Sequence, residues 1–257
     1  MNDFSANWYP GHMAKSIKNF QQIEKFVDFW FEIVDARAPL SSRGENLLEF
    51  LNKKPFIIIL NKSDLADDSI TNSWISYFKK NNIISIKCNN KIKIKDTVLN
   101  SIKKMNLNKK TKIIKSAVIG VPNVGKSCFI NNLKGSKKLK VENRVGVTRN
   151  LQWVSCGPLE ICDTPGILPP RMDSNNAKKI SYLGLIKSEV IDMEDVAINL
   201  IVDTKMSNDP HEFLSNFAKS HGCLISGGEL DLNRAANLFV KKFQEGKFGK
   251  ISLEVPD

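Results

Sequence analysis

Gly120-Val121-Pro122-Asn123-Val124-Gly125-Lys126-Ser127 has the form G-x-x-x-x-G-K-S, and its placement decides the fold. An apolar run at 113–119 precedes it and reads as a strand, and a helical pattern follows from about Ser127. In that strand–loop–helix context two glycines let the backbone curl until its N–H groups face a phosphate chain, with the helix N-terminus adding a favourable field. The predicted phosphate contacts are the Asn123, Val124, Gly125, Lys126, Ser127 and Cys128 backbone, the Lys126 ammonium on the β- and γ-phosphates, and the Ser127 hydroxyl on Mg²⁺. The loop by itself does not separate ATP from GTP.

Outward from the loop, strand-length apolar runs alternate with amphipathic helical stretches. Strands are predicted at 29–34, 56–60, 83–86, 151–155 and 159–161, and helices at 14–27, after Asp67 or Asp68, and around Ile94, Val98 and Ile102. The continuous run at 56–60 suits a parallel strand covered on both faces. From about Ala177 the pattern turns helical and charge-alternating, broken at Ser226-Gly227-Gly228. The expected architecture is α/β: a P-loop domain with a mostly parallel sheet over 1–172, then a small, mostly α-helical domain over 173–257.

Composition narrows the classes. The 257 residues are 42% hydrophobic and 25% charged, ordinary globular values. No apolar run approaches the ~20 residues of a membrane span, and the start Met1-Asn2-Asp3 lacks a signal pattern. Five cysteines at 88, 128, 156, 162 and 223 form no C-x-x-C pair, against a disulfide framework or zinc site. A cytoplasmic protein with no membrane partner is expected. The net charge of +11 is concentrated at 81–115, where ten lysines face one acid, Asp96. That stretch suits either a polyanion or plain solvation.

Three more segments complete a nucleotide site. Asn61-Lys62-Ser63-Asp64 follows the 56–60 run, and a carboxylate at Asp64 accepts from both N1–H and the exocyclic amine of guanine. Adenine offers neither donor, and a buried acceptor left unpaired costs ~1–3 kcal/mol or more. Asn61 would hold the loops together and meet the base edge, the Lys62 stem would cover the base face, and Ser85-Ile86-Lys87 would back the base with a backbone N–H. Asp163-Thr164-Pro165-Gly166 places an Asp for Mg²⁺ and the Gly166 N–H for a γ-phosphate, while Thr148 in Gly146-Val147-Thr148 would complete the metal shell. GTP or GDP with Mg²⁺ is the expected ligand; a P-loop kinase or ATPase would require Asp64 to be irrelevant.

The order is unusual: the base-reading motif precedes the P-loop, and no second N-K-x-D follows Gly166. The same sheet forms if old termini are joined within about 88–112 and new ones open after the Gly166 segment. That segment then leads directly into 171–257, so contact with the γ-phosphate could move the C-terminal part. This permuted order, together with Trp8-Tyr9-Pro10-Gly11-His12-Met13-Ala14-Lys15, Asp35-Ala36-Arg37-Ala38-Pro39-Leu40-Ser41-Ser42-Arg43, Gly222-Cys223-Leu224-Ile225-Ser226-Gly227-Gly228 and Lys247-Phe248-Gly249-Lys250, closely resembles the ribosome biogenesis GTPase A (YlqF-type) family.

The resemblance spans essentially the whole chain. It implies a cytoplasmic GTPase that acts late in assembly of the large (50S) ribosomal subunit, with rRNA bound partly by the C-terminal helical domain, and a monomer. It implies that Ile167 stands where Ras-like enzymes carry a water-orienting glutamine, that His12 substitutes for that glutamine as the catalytic group, and that Asn123 helps hold K⁺ beside the phosphates. The pattern departs at Val145-Gly146, where the family has Pro-Gly, and at Arg149 after Thr148. A GTP/GDP-switched RNA-binding checkpoint or chaperone, with hydrolysis incidental, is the alternative expectation.

Overall fold

A computed structural model describes residues 10–44, 47–105, 107, 113–135, 141–142, 153–168, 172–186 and 191–257; the side chains of 10–16, 141 and 142 lie outside that description. The elements run α1 (Pro10–Glu24), β1 (Phe29–Asp35), α2 (Leu48–Leu51), β2 (Phe56–Asn61), α3 (Asp68–Lys80), β3 (Ile84–Lys87), α4 (Lys95–Lys104), β4 (Ile114–Ile119), α5 (Lys126–Lys134), β5 (Val141–Glu142), β6 (Trp153–Cys156), β7 (Leu159–Cys162), α6 (Ser174–Tyr182), α7 (Met193–Asp203), α8 (Pro210–Ser220) and α9 (Leu232–Gln244). Among the described residues none of the helices is long and apolar enough to cross a membrane.

The strands form one sheet in the order β3-β2-β1-β4-β7-β6-β5. The first five are parallel, and β6 and β5 run antiparallel at the far edge. Successive strand residues point to opposite faces, which sorts them between cores. Phe29, Phe31 and Ile33 of β1 meet Val98 and Ile102 of α4 and Phe129 of α5 in one cluster. Trp30 packs with Phe20, Ile23 and Phe50 of α1 and α2, and Val34 with Trp74 and Phe78 of α3. Burial of both faces is why β1 reads as an unbroken apolar run apart from Glu32. That carboxylate takes both ends of the Arg43 guanidinium at 2.8 Å.

Residues 174–257 contribute only helices and one isolated bridge, Leu224 with Leu230, among the described residues. Their apolar faces join the cluster that contains Val121, Val124 and Phe129, so the helical part packs on the sheet domain through a continuous core. Four of these helices start on an Asp cap, at 173, 192, 209 and 231. The tail beyond α9 runs back across the sheet domain: Ile251 N–H donates to Leu65 O at 3.1 Å, Leu253 N–H to Arg37 O at 2.7 Å, and the Trp74 indole to Glu254 O at 3.2 Å. Glu254 also accepts the Leu40 and Ser41 N–H groups and pairs with Lys179 at 3.2 Å.

This topology gathers the carboxyl ends of β1, β2, β3, β4 and β7 on one edge. The connections reverse direction between β1 and β4, the crevice where open α/β sheets take their ligands.

Candidate functional site

The loop after β4 curls as its glycines predict. Gly125 sits at φ 101°, and a Cβ there would lie 2.1 Å from the Asn61 amide nitrogen. That close approach exists because Asn61 Nδ2 donates to Val124 O at 2.8 Å, joining the base-reading motif to the P-loop across 63 positions. Asn61 thus links the loops as expected from the sequence.

On the far side of this bridge is a cavity of about 230 Å³ lined by Asn61, Lys62, Asp64, Leu65, Asn89, Asn90, Gly125 and Cys128. It is below the ~300–1,000 Å³ of drug-sized pockets, a scale suited to a fragment such as one base. Asp64 sits in its wall, with the highly exposed Lys91 ammonium 3.4 Å from its carboxylate. Ser63 is buried beneath, accepting from Asn89 Nδ2 at 3.1 Å. Lys62 takes a left-handed backbone, φ 55°; the residue lines the cavity and its ammonium lies 3.1 Å from Asp35.

Ser85, Ile86 and Lys87 do not line this cavity. The β2–β3 ladder continues to the Leu60–Lys87 pair, so these residues belong to β3 and the edge of the sheet falls one residue later. Ile86 is core, and the Ser85 hydroxyl is buried with no partner among the described residues. Cys88-Asn89-Asn90 forms the loop in their place. Asn132 of α5 pins it, donating to Asn89 O at 2.7 Å and Ile92 O at 2.8 Å. The signal missed was the adjacent Asn pair just beyond a parallel strand. Cys128, expected beside the phosphates, also lines the base cavity, and its thiol donates to Asn90 Oδ1 at 2.7 Å.

At the other end, Lys126 folds back over its own loop and donates to Gly120 O at 3.2 Å and Val121 O at 2.8 Å. Burial lowers its pKa from 10.5 to about 8, with Asp163 acting in the opposite direction. Ser127 Oγ donates to Asp163 Oδ2 at 2.7 Å, whereas Asp163 Oδ1 is buried with no partner among the described residues. A hydroxyl and a carboxylate with one orphaned oxygen form the hard-oxygen set that Mg²⁺ takes when phosphates and water supply the rest. The residues therefore fit that ion. Thr164 anchors the segment through Val118 O, and Gly166 abuts the P-loop so closely that a Cβ would lie 2.5 Å from Pro122 N and 2.8 Å from the Lys126 ammonium.

Asn123 has φ 56°, and its amide donates to Gly184 O at 3.1 Å, tying the P-loop to the segment after α6. A larger groove of about 590 Å³ lies there between Asn123 and α6, α7 and α9, away from Asp64 and Asp163. Ile167 is buried in the cluster that holds Phe20 of α1. His12 falls in the first turn of that helix; its side chain and the whole of Thr148 lie outside the described residues.

Residues 115–224 match the family model described as 50S ribosome-binding GTPase. The chain is 35% identical to ribosome biogenesis GTPase A of Bacillus licheniformis over 97% of its own length and 98% of the relative's. Among solved structures it resembles GNP-bound YlqF from T. maritima, at 29% identity and a TM-score of 0.77, covering 95% of this chain and 99% of that one. The GDP-bound form of that protein matches at 30% identity and a TM-score of 0.73, over 92% and 98%.

Proposed function

The chain belongs to the ribosome biogenesis GTPase A family, and we propose that it binds the maturing large (50S) ribosomal subunit and its rRNA and hydrolyses GTP to GDP during late assembly. One observation carries the nucleotide reading: Asp64 and Gly125 line the same cavity, held together by the Asn61–Val124 bond. Asp64 accepts the two guanine donors, Lys62 covers a face of the ring, and the Asn89–Asn90 loop closes the opposite side. The N–H groups of the loop from Asn123 to Cys128 receive the phosphates at the start of α5. Lys126 exchanges the Gly120 and Val121 carbonyls for phosphate oxygens, and Gly166 N–H meets the γ-phosphate.

Ser127, Asp163 and Thr148 would hold Mg²⁺, which when bound neutralises charge developing on the phosphate oxygens. Asn123 would help hold K⁺ through its side-chain oxygen. His12 orients the attacking water, because an Ile at 167 has no polar atom for the task. The shared core of α1 and Ile167 supports this assignment, since it keeps the His12 helix beside the Gly166 segment.

Residues 1–172 act as the nucleotide domain and 173–257 as the helical RNA-binding domain of a cytoplasmic monomer. Exposed Lys91, Lys93, Lys95, Lys103 and Lys104 suit a phosphate backbone. A second reading, a GTP/GDP-switched RNA-binding checkpoint with incidental hydrolysis, is favoured by the burial of Ile167.

The test is hydrolysis and large-subunit binding with GTP, a non-hydrolysable GTP analogue and GDP. Faster hydrolysis on 50S particles and tighter binding with the GTP forms support the proposal. State-dependent binding without stimulation supports the checkpoint reading. Equal binding in every state with unchanged hydrolysis overturns both.

A further inference from the structure

The stretch from Asp35 to Arg43 leaves β1 beside the base cavity and meets it through one ion pair. Asp35 is fully buried, yet it faces two cations: Arg37 donates Nε to Oδ1 and Nη2 to Oδ2, both at 2.9 Å, and the Lys62 ammonium lies 3.1 Å from Oδ2. Arg37 is held in turn from the far side. Its guanidinium lies 5.7 Å from the Phe243 ring centroid, its Nη1 reaches Gln244 O at 3.5 Å, and its own carbonyl accepts Leu253 N–H.

The geometry points to Asp35 and Arg37 as positioning residues of the base site, fixing the Lys62 side chain along the cavity wall before any ligand arrives. The inference rests on the guanine reading of that cavity. A lysine stem has several rotatable bonds, and ordering it on binding costs affinity. Here the ordering is done in advance by an ion pair sheltered from water. Lys62 also sits in a left-handed backbone that non-glycine residues adopt only when their surroundings hold them there. Arginine suits position 37 because its planar fork spans both carboxylate oxygens while a third nitrogen faces α9; a lysine offers one point of charge.

The test is a double-mutant cycle on the full chain, reading release of a fluorescent GDP analogue by stopped flow and the melting temperature of each variant. Arg37→Lys is expected to speed release about tenfold in the wild-type background and less than about twofold in Lys62→Met, since the effect travels through Lys62. Equal acceleration in both backgrounds on a guanine-selective wild type overturns the inference alone. A wild type that binds ATP as tightly as GTP overturns the guanine reading and the inference together. Should Arg37→Lys melt below the assay temperature, the same cycle is run with the isosteric Asp35→Asn, expected to speed release about tenfold in the wild-type background and less than about twofold in Lys62→Met. Equal acceleration by Asp35→Asn in both backgrounds overturns it.

Discussion

The two ends of the nucleotide cleft are built on opposite electrostatic plans. At the base end the buried polar groups are already paired: Asn61 with Val124, Ser63 with Asn89, Asp35 with Arg37 and Lys62. Burial opposes the charge on Asp35, but the Arg37 and Lys62 cations and the Arg37 hydrogen bonds outweigh it and hold that carboxyl well below the usual carboxylate range. At the phosphate end, among the described residues, Asp163 keeps a buried oxygen without a hydrogen-bond partner, and the desolvated Lys126 donates to the Gly120 and Val121 carbonyls. The lesson is a division of labour. On the proposed function, the preorganised end would discriminate between bases at little ordering cost, and the unsatisfied end would gain most when an anion and a metal arrive.

The largest effect that would break this comparison is at Lys126. Lys126→Ala is expected to weaken GDP and GTP binding by roughly 10²-fold or more, since it removes charge-assisted hydrogen bonds worth ~1.5–3 kcal/mol each. Isothermal calorimetry measures it, and a loss below about fivefold would refute the phosphate-end account. Asp64→Asn comes next: GTP affinity should fall by roughly 10–10²-fold with weak ATP binding unchanged, because only guanine presents two donors to the carboxylate. A parallel fall for ATP would mean the residue shapes the loop rather than reading the base.

Chelating divalent ions with EDTA should weaken GTP binding by roughly tenfold in wild type and much less in Asp163→Ala, where the orphaned oxygen is gone. Equal losses would place the ion elsewhere. The smallest effect separates the two ends by pH. The Lys126 pKa is depressed in the folded, ligand-free protein, so the site favours the neutral amine above pH 8; bound phosphates favour the ammonium. Binding at pH 8 should therefore take up part of a proton, and affinity should drop by up to about tenfold per pH unit above 8. Asp35 stays ionised throughout that range. Its contribution to stability is present above the unfolded value of 3.8 and is lost as pH falls below it. Calorimetry in buffers of different ionisation enthalpy reads the proton directly, and none taken up at pH 8 would contradict the Lys126 assignment.

The sheet was legible because β1 and β2 are buried on both faces and leave continuous apolar runs between amphipathic helices. Boundaries moved by a residue or a few: α5 begins at Lys126, and α1 begins at Pro10 rather than 14. The base-backing loop was displaced for a related reason. Ser85-Ile86-Lys87 looks like a strand end followed by a loop, but ladder pairing with β2 carries the strand through Lys87, and Asn89 and Asn90 line the cavity instead. Lys62 was singled out by its motif; its tether to Asp35 was not readable, because the two residues meet only when β1 and β2 pair in register.

The linear order of residues was sufficient to establish a P-loop, an N-K-x-D motif placed ahead of it, and a helical C-terminal part, since each rests on local spacing and periodicity. Folding alone decided that Asn61 bridges to Val124, that Arg37 is held by α9 and the tail some two hundred positions away, and that one cleft has a satisfied end and an unsatisfied one. Those outcomes depend on which distant groups are desolvated together, a property of packing in three dimensions that no stretch of neighbouring residues carries.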